Sequence, residues 1–191
     1  MGDDSIDLKT PLTDEVVRSL KVGDRVRLSG IVYTARDAAH KRLIDAIQRG
    51  DELPFPLAGQ IIYYVGPSPA KPGELIGSAG PTTSSRVDPY TPLLLEQGLK
   101  GMIGKGKRNA TVRDALQQYG GVYFVAVGGA AALIAERIKA VKVVAYDDLG
   151  TEAIREMLIE DFPVVVANDA HGADLYEQGK AAFRRVEEPE A

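Results

Sequence analysis

The sequence contains no cysteine and only two histidines, His40 and His171, far apart in the chain. Without cysteine there are no disulfides, no thiol nucleophiles and no iron–sulfur or other thiolate-ligated centre made by this chain alone. Two distant histidines are too few for a histidine-based zinc site, so any metal chemistry needs a partner chain to hold the metal. No apolar run approaches the length that spans a bilayer. Asp3, Asp4 and Asp7 are the wrong charge for the start of a signal peptide, so a cytoplasmic location is the expectation. A basic balance is missing too: 23 Lys and Arg against 27 Asp and Glu give a formal net charge of -4. General nucleic-acid binding normally leaves the opposite footprint.

What is present suits a soluble globular protein: 191 residues, 45% hydrophobic and 26% charged. That length supports one good core, and a single domain over residues 1–191 with a frayed tail at 187–191 is expected. Thr13 followed by Asp14 and Glu15 predicts a short capped helix. After Gly23-Asp24, the alternation of Val26, Leu28, Ile31 and Tyr33 predicts β-structure. A second helix opens at Thr34-Ala35-Arg36-Asp37, carries Leu43, Ile44 and Ile47 on its apolar stripe, and ends at Gly50.

Residues 61–65 predict a strand, and a long Gly/Pro-rich loop follows over 66–83. Asp88-Pro89 predicts a helix start, with Asp as the N-cap. Beyond it, strands are expected at 99–103, 122–127, 141–146 and 164–167. Helices are expected from Thr111 to Gly120, in the alanine-rich stretch through Lys139, and over 152–158. Strands alternating with helices indicate the α/β class, with a β-rich start that a plain doubly wound sheet does not explain.

Three cationic loops stand out. In Gly80-Pro81-Thr82-Thr83-Ser84-Ser85-Arg86-Val87-Asp88, hydroxyls lie beside one arginine in a glycine- and proline-punctuated loop. Glycine lets backbone approach a ligand, and the guanidinium is a planar fork suited to a carboxylate. The alternative is a solvated Ser/Thr turn. Arg36 sits where the positive end of a helix dipole disfavours a cation, so it either pairs with Asp37 at the surface or helps form an anion site. His40, one turn on, either orients that arginine or a substrate, or caps a polar patch. Gly104-Lys105-Gly106-Lys107-Arg108 imitates a P-loop and fails. Five residues separate Gly98 from Gly104, and Lys105 is followed by Gly106 instead of Ser or Thr. A lysine at a strand end is still well placed to reach an anion.

Weaker signals remain. Gly128-Gly129 lacks the rest of a dinucleotide fingerprint and reads as close helix–strand packing. Asp147-Asp148 is either a cation site or a solvated acidic turn. Asn168-Asp169-Ala170-His171 is either functional or a cap.

Taken in order, Thr34-Ala35-Arg36-Asp37-Ala38-Ala39-His40, Tyr63-Tyr64-Val65-Gly66-Pro67, Gly80-Pro81-Thr82-Thr83-Ser84, Arg86, Asp88, Gly104-Lys105-Gly106, Gly128-Gly129-Ala130-Ala131-Ala132-Leu133 and Asp148-Leu149-Gly150-Thr151-Glu152-Ala153 carry a resemblance. Over about residues 10–180 the chain resembles the β subunit, or C-terminal domain, of the iron–sulfur (class I) fumarate hydratases and the related L-tartrate dehydratases. Val87 departs from it, since the family usually has methionine there.

The resemblance implies a swivelling β/β/α domain, with a mixed sheet or partly closed barrel flanked by helices. It implies a partner α subunit whose three cysteines hold a [4Fe–4S] cluster with one open iron, in a hetero-oligomer of two α and two β chains. The implied reaction is reversible hydration of a C4-dicarboxylate, fumarate to (S)-malate, with the open iron a Lewis acid at the hydroxyl. It makes Arg36, Arg86 and Lys105 the binders of the substrate carboxylates and Thr82 the base for the C3 proton. Asp37, His40, Thr83 and Asp88 would support them, Asp88 mainly as a helix cap. A tartrate dehydratase β subunit is the alternative reading, and a non-catalytic carboxylate-binding module is the alternative of another class.

Overall fold

The alternating run after Gly23 becomes β2 (Arg25–Thr34), the strand around which the fold is organised. A computed structural model describes residues 4–70, 72–126 and 134–183. One edge of β2 is shared by two parallel partners: β1 (Ile6–Lys9) runs beside residues 26–29, and β3 (Ile61–Tyr63) joins at Tyr33. Gly30 lies between them at φ 117°, a left-handed backbone that glycine adopts freely, and the ladder to the opposite neighbour shifts register there.

The sheet continues in parallel from β3 to β4 (Gly101–Gly104) and β5 (Val122–Val125). The long strand β7 (Ile154–Asn168) then runs antiparallel to both β5 and β2. The order β2-β3-β4-β5-β7 therefore returns to β2 and closes a five-stranded mixed barrel. β1 extends it on one side, and β6 (Ile138–Ala145), antiparallel to β7, extends it on the other.

Period-two side-chain alternation divides the core in two. Leu28, Val32, Ile61, Tyr63, Ile103, Phe124, Met157, Phe162 and Val166 form one cluster, the barrel filling. Their strand neighbours Tyr33, Ile62, Tyr64, Met102, Tyr123 and Ala167 face outward onto helices. There they meet Leu43 of α2 (Asp37–Arg49), Leu94 and Leu95 of α3 (Thr91–Glu96), and Val112 and Leu116 of α4 (Ala110–Tyr119). Each of these leucines is essentially fully buried, a contribution of roughly 2 kcal/mol apiece. The expected α/β class, with a mixed sheet partly closed into a barrel and flanked by helices, is the observed architecture.

The helix signals near α1 (Asp14–Ser19), α2 and α4 hold. The Thr13 hydroxyl accepts the Val16 amide, and Gly50 and Gly120 end α2 and α4 in the left-handed conformation. The α4 cap is Asn109, which accepts the Val112 amide, so Thr111 already lies inside the helix. A last helix, α5 (Leu175–Phe183), and β1 were not anticipated.

Three expectations are corrected. Residues 154–158 are strand, not helix: β2 pairs along one edge of β7 and β6 along the other, while Met157 and Ile159 fill the barrel. Helix does not reach Lys139, because β6 begins at Ile138. Asp88-Pro89 does not start a helix; a 3₁₀ turn (Ser84–Val87) precedes it, α3 begins at Thr91, and the Asp88 carboxylate has other partners. Gly128–Leu133 and the tail at 187–191 lie outside the described residues. Among those described, no helix is long and apolar enough to cross a membrane.

Candidate functional site

The carboxyl ends of three parallel neighbours, β2, β3 and β4, open onto one edge of the barrel. Strand carboxyl ends are where α/β folds commonly place ligands, because the loops there are free to carry function. Arg36 follows β2 and occupies the N-cap position of α2, one residue earlier than the helical first turn expected for it. Tyr64, Val65 and Gly66 follow β3, and Lys105 follows β4.

The Gly80–Asp88 loop is sewn across these ends by backbone. The Thr82 amide and hydroxyl both donate to the Tyr64 carbonyl, at 2.7 and 2.9 Å. The Lys105 amide donates to the Thr82 carbonyl at 3.2 Å, and the Ser84 amide to the Lys105 carbonyl at 3.0 Å, so that Thr83 and Lys105 form a parallel bridge. Thr82 is half-buried, whereas Thr83, Arg86 and Lys105 are exposed.

Both arginines lie at the start of α2, Arg36 as its N-cap and Arg86 through Asp37. Arg86 Nε donates to Asp37 Oδ1 at 3.0 Å, although the arginine side chain stays 60% exposed. Arg36 Nη2 lies 3.6 Å from Glu152 Oε1, and Glu152 Oε2 accepts the Ala38 amide at 3.0 Å. Glu152 thus caps α2 in place of a side chain from Arg36. Gly66 lies flat against Arg36: a Cβ there would stand 2.9 Å from Nη1 and 3.0 Å from Cδ. Arg36 Nε is buried with no hydrogen-bond partner among the described residues, and no carboxylate pairs with Lys105 there. An unmet buried donor is costly, and an acceptor brought by a ligand or water relieves it.

His40 is buried behind this edge. Its Nδ1 lies 2.8 Å from the Arg36 carbonyl, which only accepts, so Nδ1 carries the proton. Burial pushes its pKa down to about 4, leaving a neutral ring against Tyr64 and Tyr90. The ring is thus bonded to the Arg36 main chain.

Below the loops lies a polar cluster centred on Arg108, which the sequence presented only as the end of a basic turn. The Arg108 side chain is wholly buried. Nε donates to Asp88 Oδ1 at 2.6 Å, Nη2 to Thr91 Oγ1 at 2.6 Å and Nη1 to the Tyr64 hydroxyl at 3.2 Å. Its guanidinium carbon lies 5.4 Å from the centre of the Tyr64 ring and 5.0 Å from that of Tyr123. Asp88 Oδ2 accepts the Asn109 amide at 2.9 Å. The Tyr123 hydroxyl donates to the Gly106 carbonyl at 2.9 Å and meets Ser84 Oγ at 2.8 Å. Burial raises the pKa of that hydroxyl, so it keeps its proton. Nothing in a one-dimensional pattern joins Asp88 to an arginine 20 positions on; the only hint was a basic turn directly preceding an Asn helix cap.

Two of the weaker sequence signals, Asp148 and Asp169, have hydrogen-bond partners within the fold. Asp148 takes Arg42 through two hydrogen bonds, at 2.8 and 2.5 Å. Asp169 accepts the amides of Val22, His171 and Ala173, and so caps its own loop. Among the described residues, no group of three His, Cys, Asp or Glu side chains is placed to hold a metal ion.

A model of the family described as Fumarase C-terminus matches residues 2–179. The chain is 42% identical over 177 residues to the protein named "Putative fumarate hydratase class I" of Geobacillus stearothermophilus, covering 90% of this chain and 34% of that protein. It is 39% identical over 178 residues to the anaerobic class I fumarate hydratase of Escherichia coli (strain K12), covering 91% and 32%. It is 38% identical over 184 residues to "Putative L(+)-tartrate dehydratase subunit beta" of Methanocaldococcus jannaschii, covering 93% of this chain and 94% of that one. The chain thus spans about a third of the length of the fumarate hydratases it matches.

Proposed function

The chain belongs to the fumarase C-terminus family, and on that premise we propose that it is the carboxylate-holding part of a two-part hydro-lyase. The reaction is the reversible hydration of fumarate to (S)-malate. The observation that carries this reading is the strand-end assembly, in which Thr82 is backbone-paired to Lys105 on an edge that also carries Arg36 and Arg86.

The roles follow from charge and reach. Arg36, Arg86 and Lys105 offset the desolvation of a dianion. Removing the C3 proton of malate pushes negative charge into the neighbouring carboxylate, and a cation beside it stabilises that charge. Asp37 occupies Arg86 Nε and leaves its Nη edge for a carboxylate. Thr82 is the group proposed to take the C3 proton. A threonine hydroxyl is a weak base, and here its own proton is hydrogen-bonded to the Tyr64 carbonyl, which is too weak a base to remove it. An acceptor from another chain, a carboxylate by its chemistry, completes that step.

With no cysteine in its sequence, this chain does not fit an iron–sulfur cluster; the cluster belongs to the proposed α partner. The similarity to the tartrate dehydratase subunit beta keeps tartrate dehydration as a second reading. The test is an anaerobic assay on fumarate and on L-tartrate, using this chain alone and together with a cysteine-bearing partner whose cluster has been reconstituted. Fumarate turnover by the pair alone is expected. Turnover of tartrate only selects the second reading, and turnover of neither rejects both.

A further inference from the structure

Thr82, Arg86 and Lys105 lie on two loops that end on one buried polar cluster. We propose that this cluster, centred on Arg108 and Tyr123, is a positioning device that fixes Thr82 relative to Lys105. The proposal rests on the hydro-lyase reading above for its kinetic consequence, but not for its mechanical one.

Three segments of these loops meet there. The β3 loop contributes Tyr64, whose hydroxyl accepts from Arg108 while its carbonyl holds Thr82. The Gly80–Asp88 loop contributes Ser84, bonded to Tyr123, and Asp88, bonded to Arg108. The β4 loop contributes the Gly106 carbonyl, bonded to Tyr123, the Asn109 amide, bonded to Asp88, and Arg108 itself. The short backbone ladder between Thr82 and Lys105 is therefore gripped from beneath on both sides. Packing tightens the grip: a Cβ on Gly104 would collide with Ser84 Oγ and the Tyr64 ring, so the two loops close to contact there.

A buried arginine–aspartate pair is a poor way to gain stability. The desolvation of both ions consumes most of the attraction, and well-packed apolar residues often do as well. What such a pair supplies is direction, because each hydrogen bond is met at one geometry only. Arg108 directs Nε, Nη1 and Nη2 to three different elements. Both Arg108 and Tyr123 are buried, so they act on a substrate only through the residues they hold.

Tyr123→Phe keeps the ring and the core and deletes the hydroxyl that links Ser84 to Gly106. Arg108→Lys keeps a charge and deletes the three-way fork. Each is measured by steady-state kinetics in the assembled enzyme and by hydrogen-exchange mass spectrometry of the full chain. A displacement of about 1 Å costs on the order of a hundredfold in rate, so Tyr123→Phe is expected to lower kcat at least about tenfold. KM should change less than kcat, because Arg36 lies outside the loosened segments and Arg86 keeps its bond to Asp37. Exchange in peptides covering 82–88 and 104–109 should accelerate, while peptides from β2 and β7 do not change.

If kcat stays near wild type, or falls with no change in loop exchange, the positioning role is wrong. A fall in melting temperature with kcat per folded enzyme unchanged also overturns it, and marks the cluster as a stabiliser only. If the wild-type pair turns over neither fumarate nor tartrate, the hydro-lyase reading has failed and exchange alone decides. Selective loosening of 82–88 and 104–109 then supports the device, and unchanged exchange overturns it. Should Arg108→Lys fail to fold, Tyr123→Phe carries the test.

Discussion

Arg86 and Asp37 meet at 3.0 Å across 49 residues of chain, and their contact brings the Gly80–Asp88 loop against the first residue of α2. The contact is exposed, so its worth to stability is small, about 0–1 kcal/mol. On the proposed function, its value lies in aiming the guanidinium at a substrate carboxylate. Asp37→Asn should lower the melting temperature by no more than about 4 °C while raising KM several-fold, because the charge that holds Nε is lost. Melting curves and steady-state kinetics on the same preparation check both halves.

Removing the cations themselves should cost more. Arg36→Ala, Arg86→Ala and Lys105→Ala each delete a charge-assisted hydrogen bond, worth about 1.5–3 kcal/mol, or roughly ten- to hundredfold in kcat/KM. Some of the loss should appear in kcat, since in the proposed reaction the same charges would stabilise the carboxylate that develops negative charge. Near-wild-type kinetics in all three variants would place the substrate elsewhere.

Gly66→Ala tests the seat of Arg36. Gly66 has no left-handed backbone to protect, so the substitution adds only a methyl group, 2.9 Å from Arg36 Nη1. That group must push the guanidinium aside. Weaker dicarboxylate binding at little cost in thermal stability is expected, and titration calorimetry with a non-reacting dicarboxylate reads it directly. Unchanged affinity would remove Arg36 from the binding site.

How much of this was legible in sequence depended on how local the cause was. The caps at Thr13, Gly50 and Gly120 are decided within one helical turn, and they were readable. The cationic loops were readable because glycine and proline punctuate them. The strand at 154–158 was not, since Glu152, Arg155, Glu156, Met157 and Leu158 all tolerate helix and only pairing to β2 and β6 decides the matter. Arg108 escaped notice for the same reason. Its environment is built from Asp88, Thr91, Tyr64 and Tyr123, which the fold gathers from four places in the chain.

His40 gives a pH signature. Its folded pKa of about 4 lies below the ordinary value of 6.5, because burial disfavours the charged ring. The unfolded chain therefore binds the extra proton first as pH falls. Stability is at its full value above pH 6.5, declines as pH falls from 6.5 to 4, and loses about 3 kcal/mol over that window. His40→Gln, which cannot titrate, should flatten that part of the profile. Denaturant melts at pH 7, 5.5 and 4.5 separate the two, and parallel profiles for wild type and variant would show that His40 is not buried neutral.

Thr82, held between the Tyr64 carbonyl and the Lys105 amide, is the group proposed to take the C3 proton. The direct measurement is kcat, KM and melting temperature for Thr82→Ala, Thr82→Val and Thr82→Ser in the assembled enzyme. An interaction made mainly in the transition state shows itself in kcat. Alanine and valine should lower kcat far more than they raise KM, serine should retain more activity than either, and the melting temperature should stay nearly unchanged. An alanine variant that keeps most of its kcat would contradict the account and move the base to the partner chain.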